Sequence, residues 1–324
     1  MKNFDNLRSS CKALYRANFS KIKTPIILSW QVTDTSNAGK PCYQNQARTE
    51  KELSPSEVID VIDRIAQAGV RRVILTGGDP MMRFDIGSIM DQLHEKNISV
   101  HLETHGYFVE RKIEIVKLAD KVFLPLDGPE EIQDELRYIG SYQEVLQAAK
   151  VLAANKRPFV FVCTLTSKNI DLLESALEVA GHFKTGIYFE PVPPLLDGTK
   201  TAHPLIFSSD RMKRAMIRLI RLKKAQYPNV LNSEESLNHI YHWPESSMVH
   251  CESSWICAHI DVNGDLIPCG YVRPRVRNNI LKDGLVEAFN KLSAKTCTDC
   301  WQAYRFDLHK KTRFSVNNIF NLFS

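Results

Sequence analysis

Five of the eight cysteines lie in the last third of the chain, at positions that suit metal ligation. Cys297 and Cys300 form a Cys-x2-Cys pair. Upstream of them, a predicted hairpin around an Asn-Gly turn would bring Cys251 or Cys257 close to Cys269. Four thiolates arranged in this way make a soft tetrahedral site, which suits either zinc or a four-iron cluster. The alternative is a set of buried thiols without a metal.

Glycine and polar residues follow an apolar run in the first third of the chain. Gly77, Gly78, Asp79 and Pro80 come shortly after the apolar residues 70–75. Glycine allows a ligand to approach the backbone closely, and the Asp79 carboxylate can pair with an ammonium. Without further context, Gly-Gly-Asp-Pro is also a common turn.

His101, Glu103 and His105 alternate along the next apolar run, so their side chains point to one side of a predicted strand. Two imidazoles and a carboxylate can hold a divalent metal. Three ligands rarely converge from a single strand, so we favour a polar lining that contacts a cofactor or a substrate.

Strands and helices alternate through the first two thirds of the chain. Six stretches have strand character, namely 26–32, 70–75, 98–102, 121–126, 159–165 and 187–190. All but the last are followed by a helical pattern. The first helix is predicted to start at Ser54, with Pro55 and Glu57 in capping positions and Ile59 on its apolar face. This order predicts the α/β class with a parallel sheet and right-handed crossovers, and six units suit an incomplete barrel.

Loops that follow the strands of such a barrel meet at one rim, where barrels carry out chemistry. The residues already described would share this rim with Asp127, which follows the fourth strand, and with Glu190, which ends the sixth. The loop after the first strand brings Ser36, Lys40 and Tyr43 to the same place.

In their order and spacing, these segments resemble the radical S-adenosylmethionine (SAM) family. Residues 76–80 resemble the family's Gly-Gly-Glu-Pro, and residues 103–106 resemble its Glu-Thr-Asn-Gly. Residues 125–129 resemble the Ser-Leu-Asp-Gly-Pro of the peptide-modifying branch. The resemblance extends over about residues 24–305 and implies a partial (β/α)6 barrel of the TIM type that binds SAM.

The resemblance also implies roles for individual residues. Residues 77–80 would hold the SAM amino group, with Asp79 as the carboxylate that meets it. Asp127 would lie in a cofactor-binding loop. Arg137 would contact the SAM carboxylate, although a surface salt bridge is an equal alternative for this arginine.

The loop after the first strand departs from the family pattern. The family holds a four-iron cluster with three cysteines spaced Cys-x3-Cys-x2-Cys, and the open iron of that cluster binds SAM. Here these positions are Ser36, Lys40 and Tyr43, and Cys42 is one residue out of register. Because iron–sulfur clusters need thiolates, we expect no cluster at residues 36–43.

Several side chains could perform acid–base chemistry in the absence of that cluster. Lys40 and Tyr43 would lie where the cluster was, as base, acid or contact for a substrate carboxylate. The other catalytic candidates are rim residues: Glu103, His105 and Glu190.

The C-terminal cysteines resemble the twitch form of the SPASM domain, which binds an auxiliary four-iron cluster beside the barrel. Their order is Cys-x12-Gly-x4-Cys followed by Cys-x2-Cys. The resemblance favours a cluster over zinc and assigns the ligands as Cys251, Cys269, Cys297 and Cys300. Cys257 could replace Cys251.

Composition excludes several classes of function. The net charge is only +5, from 42 Lys and Arg against 37 Asp and Glu, and the basic residues are scattered. We therefore expect no nucleic-acid groove. No secretory signal and no apolar run long enough to cross a bilayer is present, so we expect a cytoplasmic protein without a membrane span. In that reducing compartment cysteines serve as ligands or buried thiols rather than disulfides.

We predict five segments in the chain. They are an N-terminal helical extension (1–24), a radical-SAM-like partial barrel (25–195), connector helices (196–245), a twitch-like cluster domain (246–305) and a tail (306–324).

Two hypotheses for function follow. The first is an enzyme that binds SAM and uses it by polar rather than radical chemistry, such as group transfer to a peptide or a small metabolite. The second is a non-catalytic protein partner or scaffold of a true radical SAM enzyme in peptide or natural-product maturation. Retention of Gly-Gly-Asp-Pro and Glu-Thr-His-Gly favours the first, because a pure scaffold has no need of a SAM pocket.

Overall fold

The computed structural model describes residues 22–37, 51–194, 202–245, 253–270, 277–292, 301–303 and 307. Its strands are β1 (Ile27–Thr33), β2 (Arg72–Gly77), β3 (Ser99–Glu103), β4 (Lys121–Pro125), β5 (Phe159–Leu165), β6 (Gly186–Pro191), β7 (Cys257–Ile260), β8 (Asp265–Ile267) and β9 (Asn278–Asn279). Its helices are α1 (Pro55–Gln67), α2 (Ile86–Glu95), α3 (Ile113–Val116), α4 (Glu130–Leu136), α5 (Ser141–Ala154), α6 (Leu173–His182), α7 (Ser209–Ala225), α8 (Glu234–Tyr241), α9 (Ile280–Asp283) and α10 (Leu285–Lys291).

The strands form a single nine-stranded sheet in the order β6-β5-β4-β3-β2-β1-β7-β8-β9. Strands β1 to β6 pair in parallel with their sequence neighbours. Helices α1, α2, α3, α5 and α6 return the chain between them, as the alternating pattern predicts. The fold is therefore the predicted α/β class, a parallel sheet of the partial TIM-barrel type.

The two faces of the parallel strands differ in chemistry. On β1, Leu28, Trp30 and Val32 belong to the hydrophobic core that packs against the helices. Ser29 and Gln31 alternate with them and are also buried. The opposite face of the sheet is therefore polar, which suits the lining of a site rather than a second hydrophobic layer.

The sequence predicts the start of α1 correctly. The Ser54 side chain accepts a hydrogen bond from the Glu57 N–H, and the Glu57 carboxylate accepts one from the Ser54 N–H, which forms the expected capping box. Val58, Val61, Ile62 and Ile65 form the buried face. Ile59 is 45% exposed, so its expected place on that face was wrong.

Both edges of the six-stranded parallel sheet are covered. On one side β7 pairs in parallel with β1, and the antiparallel hairpin of β7 and β8 turns at Asn263-Gly264 as predicted. On the other side residues 229–232 cover β6. There Ile187 exchanges backbone hydrogen bonds with Asn229 (3.0 Å) and Leu231 (2.8 Å).

The connector region contains the two helices α7 and α8. Met212 and Met216 of α7 are fully buried, in agreement with a packing role for their spacing. Helix α4 was not expected from the sequence. Within the described ranges, no helix combines the length and the hydropathy needed to cross a membrane.

Candidate functional site

The loops after β1, β2, β3 and β4 meet at one end of the sheet because these strands are parallel and in register. They bring residues 33–35, 77–80, 104–106 and 126–129 to a common rim. Most of the described residues that the sequence assigns to a site lie at this rim.

Gly77 and Gly78 hold the first two rim loops together. The Gly78 N–H donates to the Thr33 carbonyl (2.9 Å), and the Asp79 N–H donates to the Thr35 carbonyl (2.8 Å). A Cβ atom at Gly77 would overlap the Thr33 carbonyl oxygen, and one at Gly78 would overlap the Thr35 carbonyl oxygen. The close approach that these glycines permit is therefore used by the chain's own backbone.

Asp79 links the second rim loop to the third. Its carboxylate accepts hydrogen bonds from the Met81 N–H (3.0 Å), the Thr104 hydroxyl (3.0 and 2.9 Å) and the His105 N–H (3.2 Å). Pro80 follows as the first residue of a short 3-10 helix that Asp79 caps. The Asp79 side chain is fully buried, so it is not placed to present an exposed anion to an ammonium.

Burial dominates the electrostatics of Asp79. Desolvation raises the pKa of this carboxyl to about 6, against the opposing effect of the hydrogen bonds from Met81, Thr104 and His105. Lys112 contributes a weaker attraction and donates its ammonium hydrogen bond to the Met81 carbonyl (2.7 Å). The group therefore changes charge near pH 6 while remaining inside the protein.

Asp127 anchors the fourth rim loop through buried hydrogen bonds. Its carboxylate accepts from the Arg137 Nε–H (2.6 Å) and from the Thr164 N–H (2.9 Å). Its own N–H donates to the Gln133 side chain (2.6 Å), and its carbonyl accepts from the Asn169 side chain (2.7 Å). Asp127 is fully buried and holds Arg137, whose side chain is 13% exposed. The expected role of Asp127 in cofactor binding stays a prediction.

His105 lies between these two anchored loops. Burial, assisted by the charge of Arg137, lowers the pKa of His105 to about 4, so its imidazole is neutral at physiological pH. The Nδ1 atom is buried and has no hydrogen-bond partner within the described part of the chain. The structure thus places at the rim a neutral imidazole whose Nδ1 has unused hydrogen-bonding capacity, near enough to Arg137 for its charge to affect the ring.

The two carboxylates predicted as catalytic lie on different strands. Glu103 ends β3 and is exposed, while Glu190 lies on β6 beside Thr164 of β5. Strands β4 and β5 separate them in the sheet. They therefore belong to the rim without forming an adjacent pair.

The alternating set of His101, Glu103 and His105 does not become a metal site. The His101 ring is buried against Phe123, with ring centroids 5.7 Å apart, and burial lowers the pKa of His101 well below its usual value. His105 instead donates its backbone N–H to Asp79, and the charge of Arg137 helps to lower its pKa. Among the residues that the structure describes, no three His, Cys, Asp or Glu side chains are grouped to hold a metal ion.

Comparisons with known proteins agree with this architecture. The family model of the radical SAM superfamily matches residues 40–180. Mycofactocin maturase MftC of Mycolicibacterium smegmatis is 26% identical over 170 residues, which are 50% of this chain and 43% of that protein. Mycofactocin maturase MftC of Mycobacterium tuberculosis (strain H37Rv) is 24% identical over 276 residues, which are 81% of this chain and 69% of that protein.

A solved structure shares the fold over a similar length. The structure of Streptococcus suis SuiB bound to S-adenosylmethionine superimposes with a TM-score of 0.70 at 15% identity, over 84% of this chain and 67% of that one. Residues 40–180 therefore form a radical SAM domain.

The radical SAM cluster motif falls mostly outside the described residues. Ser36 is described and half-buried, but Lys40, Cys42 and Tyr43 are not among the described residues. The superfamily match begins at residue 40, downstream of Ser36. The loss of the cluster ligands, and the catalytic roles of Lys40 and Tyr43, therefore stay predictions.

The structure describes only some of the C-terminal cysteines. Cys257 is buried at the start of β7 beside Ile27, and Cys269 is half-buried just after β8. The register pairs His259 with Ile267, and continued by two residues it places Cys269 opposite Cys257. Cys251, Cys297 and Cys300 lie outside the described residues, so the predicted ligand set stays a prediction.

The sequence did not predict which residues support the rim aspartates. Thr104, Gln133 and Asn169 make the buried hydrogen bonds that hold Asp79 and Asp127. A signal exists for Asn169, because Thr166 and Asn169 form a local turn in which Asn169 accepts from the Thr166 N–H (2.7 Å). No comparable local signal identifies Gln133.

Proposed function

We propose that this chain binds SAM at the rim and acts on a peptide by chemistry that needs no cluster at residues 36–43. The observation that supports the proposal is an arginine held in a fixed position at the rim. Arg137 is held there by a buried carboxylate, and its charge helps to lower the pKa of His105. An arginine fixed in this way is a suitable partner for the carboxylate of an amino-acid-like ligand.

A peptide is the substrate class that the relatives favour. Two of them are named as maturases of mycofactocin, and one structure of SuiB is described as bound to a precursor peptide, SuiA. Because the chain spans 43% of the first of these maturases, we carry over to it only the class of substrate. A small metabolite is the alternative that the sequence left open.

The proposed absence of radical chemistry follows from the donor atoms. The hydroxyl of Ser36 is a poor ligand for an iron–sulfur cluster, and the ammonium of Lys40 cannot ligate before it loses a proton. SAM, when bound, supplies carbons that its sulfonium makes electrophilic. Positioning a nucleophile against such a carbon is within the capacity of a rigid rim.

The acid–base candidates are not equally suited to proton transfer. An effective general base has a pKa near the working pH, and the pKa of His105 is about 4. His105 is therefore better suited to orient a ligand by a hydrogen bond than to accept a proton. Lys40, Tyr43, Glu103 and Glu190 remain the proposed proton carriers.

We also propose an auxiliary metal centre in the C-terminal region. Cys251, Cys269, Cys297 and Cys300 would hold a four-iron cluster, with zinc as the alternative. The hairpin register supports this proposal, because it places Cys257 opposite Cys269, where Cys257 could replace Cys251.

Calorimetric titration of the full chain with SAM, together with iron and zinc analysis, tests the proposal. We expect saturable SAM binding, metal bound to the protein and no 5′-deoxyadenosine after addition of a strong reductant. Formation of 5′-deoxyadenosine at enzyme stoichiometry would restore radical chemistry. Absence of SAM binding would exclude the proposed enzyme.

One observation favours a second candidate, a non-catalytic partner of a radical SAM enzyme. Asp79, Gly77 and Gly78 make structural contacts within the rim, so their presence is explained without a ligand. Under this hypothesis the purified chain binds a precursor peptide or a partner enzyme but not SAM. Peptide binding without SAM binding would favour it.

A further inference from the structure

We propose that the exposed face of helix α7 docks an acidic segment of the peptide substrate, outside the part of the peptide that reacts at the rim. The surface consists of Arg214, Ile217, Arg218 and Arg221, and we call it the α7 stripe. The inference rests on the proposed function for the peptide nature of the partner.

Positive charge is concentrated on α7, although basic residues are scattered elsewhere. The helix carries seven Lys and Arg residues against a single acid, Asp210, so its net charge is +6. The whole chain has a net charge of +5, which leaves −1 for all its other residues together. Long-range attraction would therefore steer an acidic segment toward α7 rather than toward another face.

Three arginines lie on one exposed side of this helix. Arg214, Arg218 and Arg221 are exposed and are spaced i, i+4 and i+7, which places them on the same face. Arg218 donates to Glu174 (2.6 Å), but within the described part of the chain Arg214 and Arg221 have no acidic partner. At the rise of an α-helix these two arginines are about 10 Å apart along the axis. They can therefore receive carboxylates that are two helical turns apart.

Apolar side chains lie within and beside the α7 stripe. Ile217 is 42% exposed in the middle of the stripe. Leu172 is 40% exposed and follows Asp171, which pairs with Arg211 (2.5 Å) and whose carbonyl accepts from Arg218 (3.1 Å). The surface thus offers apolar contacts together with charge, which suits an amphipathic peptide.

The position of α7 connects this surface to the rim. Ser167 follows the rim end of β5, its N–H donates to the Leu205 carbonyl (2.9 Å), and its carbonyl accepts from Arg211 (3.1 Å). Toward the other end of α7, Lys223 donates to the carbonyl of Asn232, in the segment that covers the first half of β6. The α7 stripe therefore starts beside the rim and continues down the outside of the sheet, where the same peptide can occupy both places.

Two observations favour a peptide over a membrane or a nucleic acid. Met212, Met216 and Leu219 are buried in the core, so α7 has no apolar face to insert into a lipid surface. Ile217 offers an apolar contact at the centre of the stripe, whereas phosphates are bound by charged and polar groups. A helical segment with acidic residues at i, i+4 and i+7 and an apolar residue between them would use both kinds of contact.

Binding of labelled peptides to the full chain tests the inference. The probe is a fluorescent synthetic helix with Glu at i, i+4 and i+7 and Leu at i+3. The comparison peptide has the same composition with these residues spread around the helix. Anisotropy at low salt should show the probe binding about fivefold more tightly or better, and added salt should weaken it. Equal binding of the two peptides, or no binding of the probe, would overturn the inference.

Charge reversal locates the binding surface. Arg214→Glu with Arg221→Glu should weaken binding of the probe about tenfold or more, because attraction becomes repulsion. Lys150→Glu with Lys282→Glu is the matched control, since it changes the net charge equally at exposed positions of α5 and α9, and it should stay within about threefold of wild type. Equal losses would show an effect of net charge alone and would overturn the inference. If the reversed variant does not fold, Arg214→Gln with Arg221→Gln replaces it, and an unchanged affinity would then overturn the inference.

Further ligands complete the experiment. Tighter binding of a short DNA duplex, or of vesicles containing phosphatidylserine, with a loss on reversal of Arg214 and Arg221, would overturn the assignment to a peptide. SAM titration of the same proteins separates the inference from the proposed function. Binding of SAM without the probe would overturn the inference alone, and binding of the probe without SAM would overturn the proposed enzyme while the α7 stripe stands.

Discussion

Two aspartates at opposite ends of the parallel sheet make similar hydrogen bonds but respond oppositely to protonation. Asp79 at the rim accepts from two N–H groups and one hydroxyl. Asp120, just before β4 at the base, accepts from the Val100 N–H (2.7 Å) and the Ser99 hydroxyl (2.9 Å), and contacts His94 (3.4 Å). The pKa of Asp79 is raised to about 6, whereas that of Asp120 is lowered to about 2.

Solvent exposure accounts for the difference. For both groups desolvation is the largest single influence and raises the pKa. The Asp120 side chain is 47% exposed, so its hydrogen bonds to His94, Val100 and Ser99 outweigh that influence. Asp79 is fully buried, so desolvation prevails. At neutral pH the charge of Asp120 therefore stabilises the fold, whereas the buried charge of Asp79 at the rim destabilises it. Functional sites often contain such unfavourable buried charges.

The largest expected difference in stability is between loss of a buried ion pair and loss of an exposed one. Asp127→Ala should reduce the free energy of unfolding by about 3–5 kcal/mol, because it leaves the Arg137 charge and the Thr164 N–H without their acceptor. Asp171→Ala removes an exposed Arg–Asp pair and should cost below about 1 kcal/mol. Denaturant unfolding of both variants measures the difference, and equal losses would contradict a tightly anchored rim.

The next effect compares two glycines at the two ends of the sheet. Gly78→Ala should destabilise by roughly 1–3 kcal/mol or more, since its Cβ would overlap the Thr35 carbonyl oxygen. Gly69, after α1 at the base, has φ +80° and open space around its Cβ position. Gly69→Ala should therefore cost only about 1 kcal/mol, from the backbone conformation. Thermal unfolding of the pair would show whether the rim is the more tightly packed end.

Protonation of Asp79 should make the free energy of unfolding depend measurably on pH. Because its pKa is about 6 in the fold and 3.8 in the unfolded reference, the folded protein binds more protons between these values. The free energy of unfolding should therefore fall by on the order of 2–3 kcal/mol as the pH rises from about 4 to 6.5. Asp79→Asn should remove this component of the profile. If the free energies of unfolding of wild type and variant differ by the same amount at every pH, the shifted pKa of Asp79 is contradicted.

The smallest expected effect on stability concerns His94, at the end of the sheet opposite the rim. The pKa of His94 is raised, chiefly by its hydrogen bond to Asp120, so protonated His94 stabilises the fold. Its contribution is complete below the unfolded pKa and is lost as the pH rises through the folded one. His94→Gln should cost below about 1 kcal/mol near pH 6, because the pair is partly exposed, and less near pH 8.5. Unfolding at both pH values measures this, and an equal cost at both would show that packing rather than charge is lost.

The sequence predicts the architecture better than the site. Alternating strand and helix patterns identify β1 to β6, because the apolar face of each strand faces the helices. The capping residues Ser54 and Glu57 identify α1 because capping is local. Helix α4 was missed since it has only two buried residues, Gln133 and Leu136, and follows directly on a rim loop.

The roles of the rim aspartates depend on distant partners. Asp79 bonds to Thr104, 25 positions away, and Asp127 bonds to Thr164, 37 positions away. The motifs around them identify the loops but not the direction in which each carboxylate points. A local pattern cannot distinguish a carboxylate that faces a ligand from one that faces the core, because burial is a property of the whole fold.

The pairing of β7 with β1 has a consequence for the solubility of a shortened form of this chain. Trp30 and Ile27 of β1 are flanked by β2 on one side and by β7 on the other. A chain that ended after α8 would leave the backbone N–H and C=O groups along this edge of β1 unpaired, and such an open edge recruits other strands and promotes aggregation. The cysteine-bearing hairpin therefore also acts as a guard against self-association, and we expect its removal to yield insoluble protein rather than a smaller working barrel.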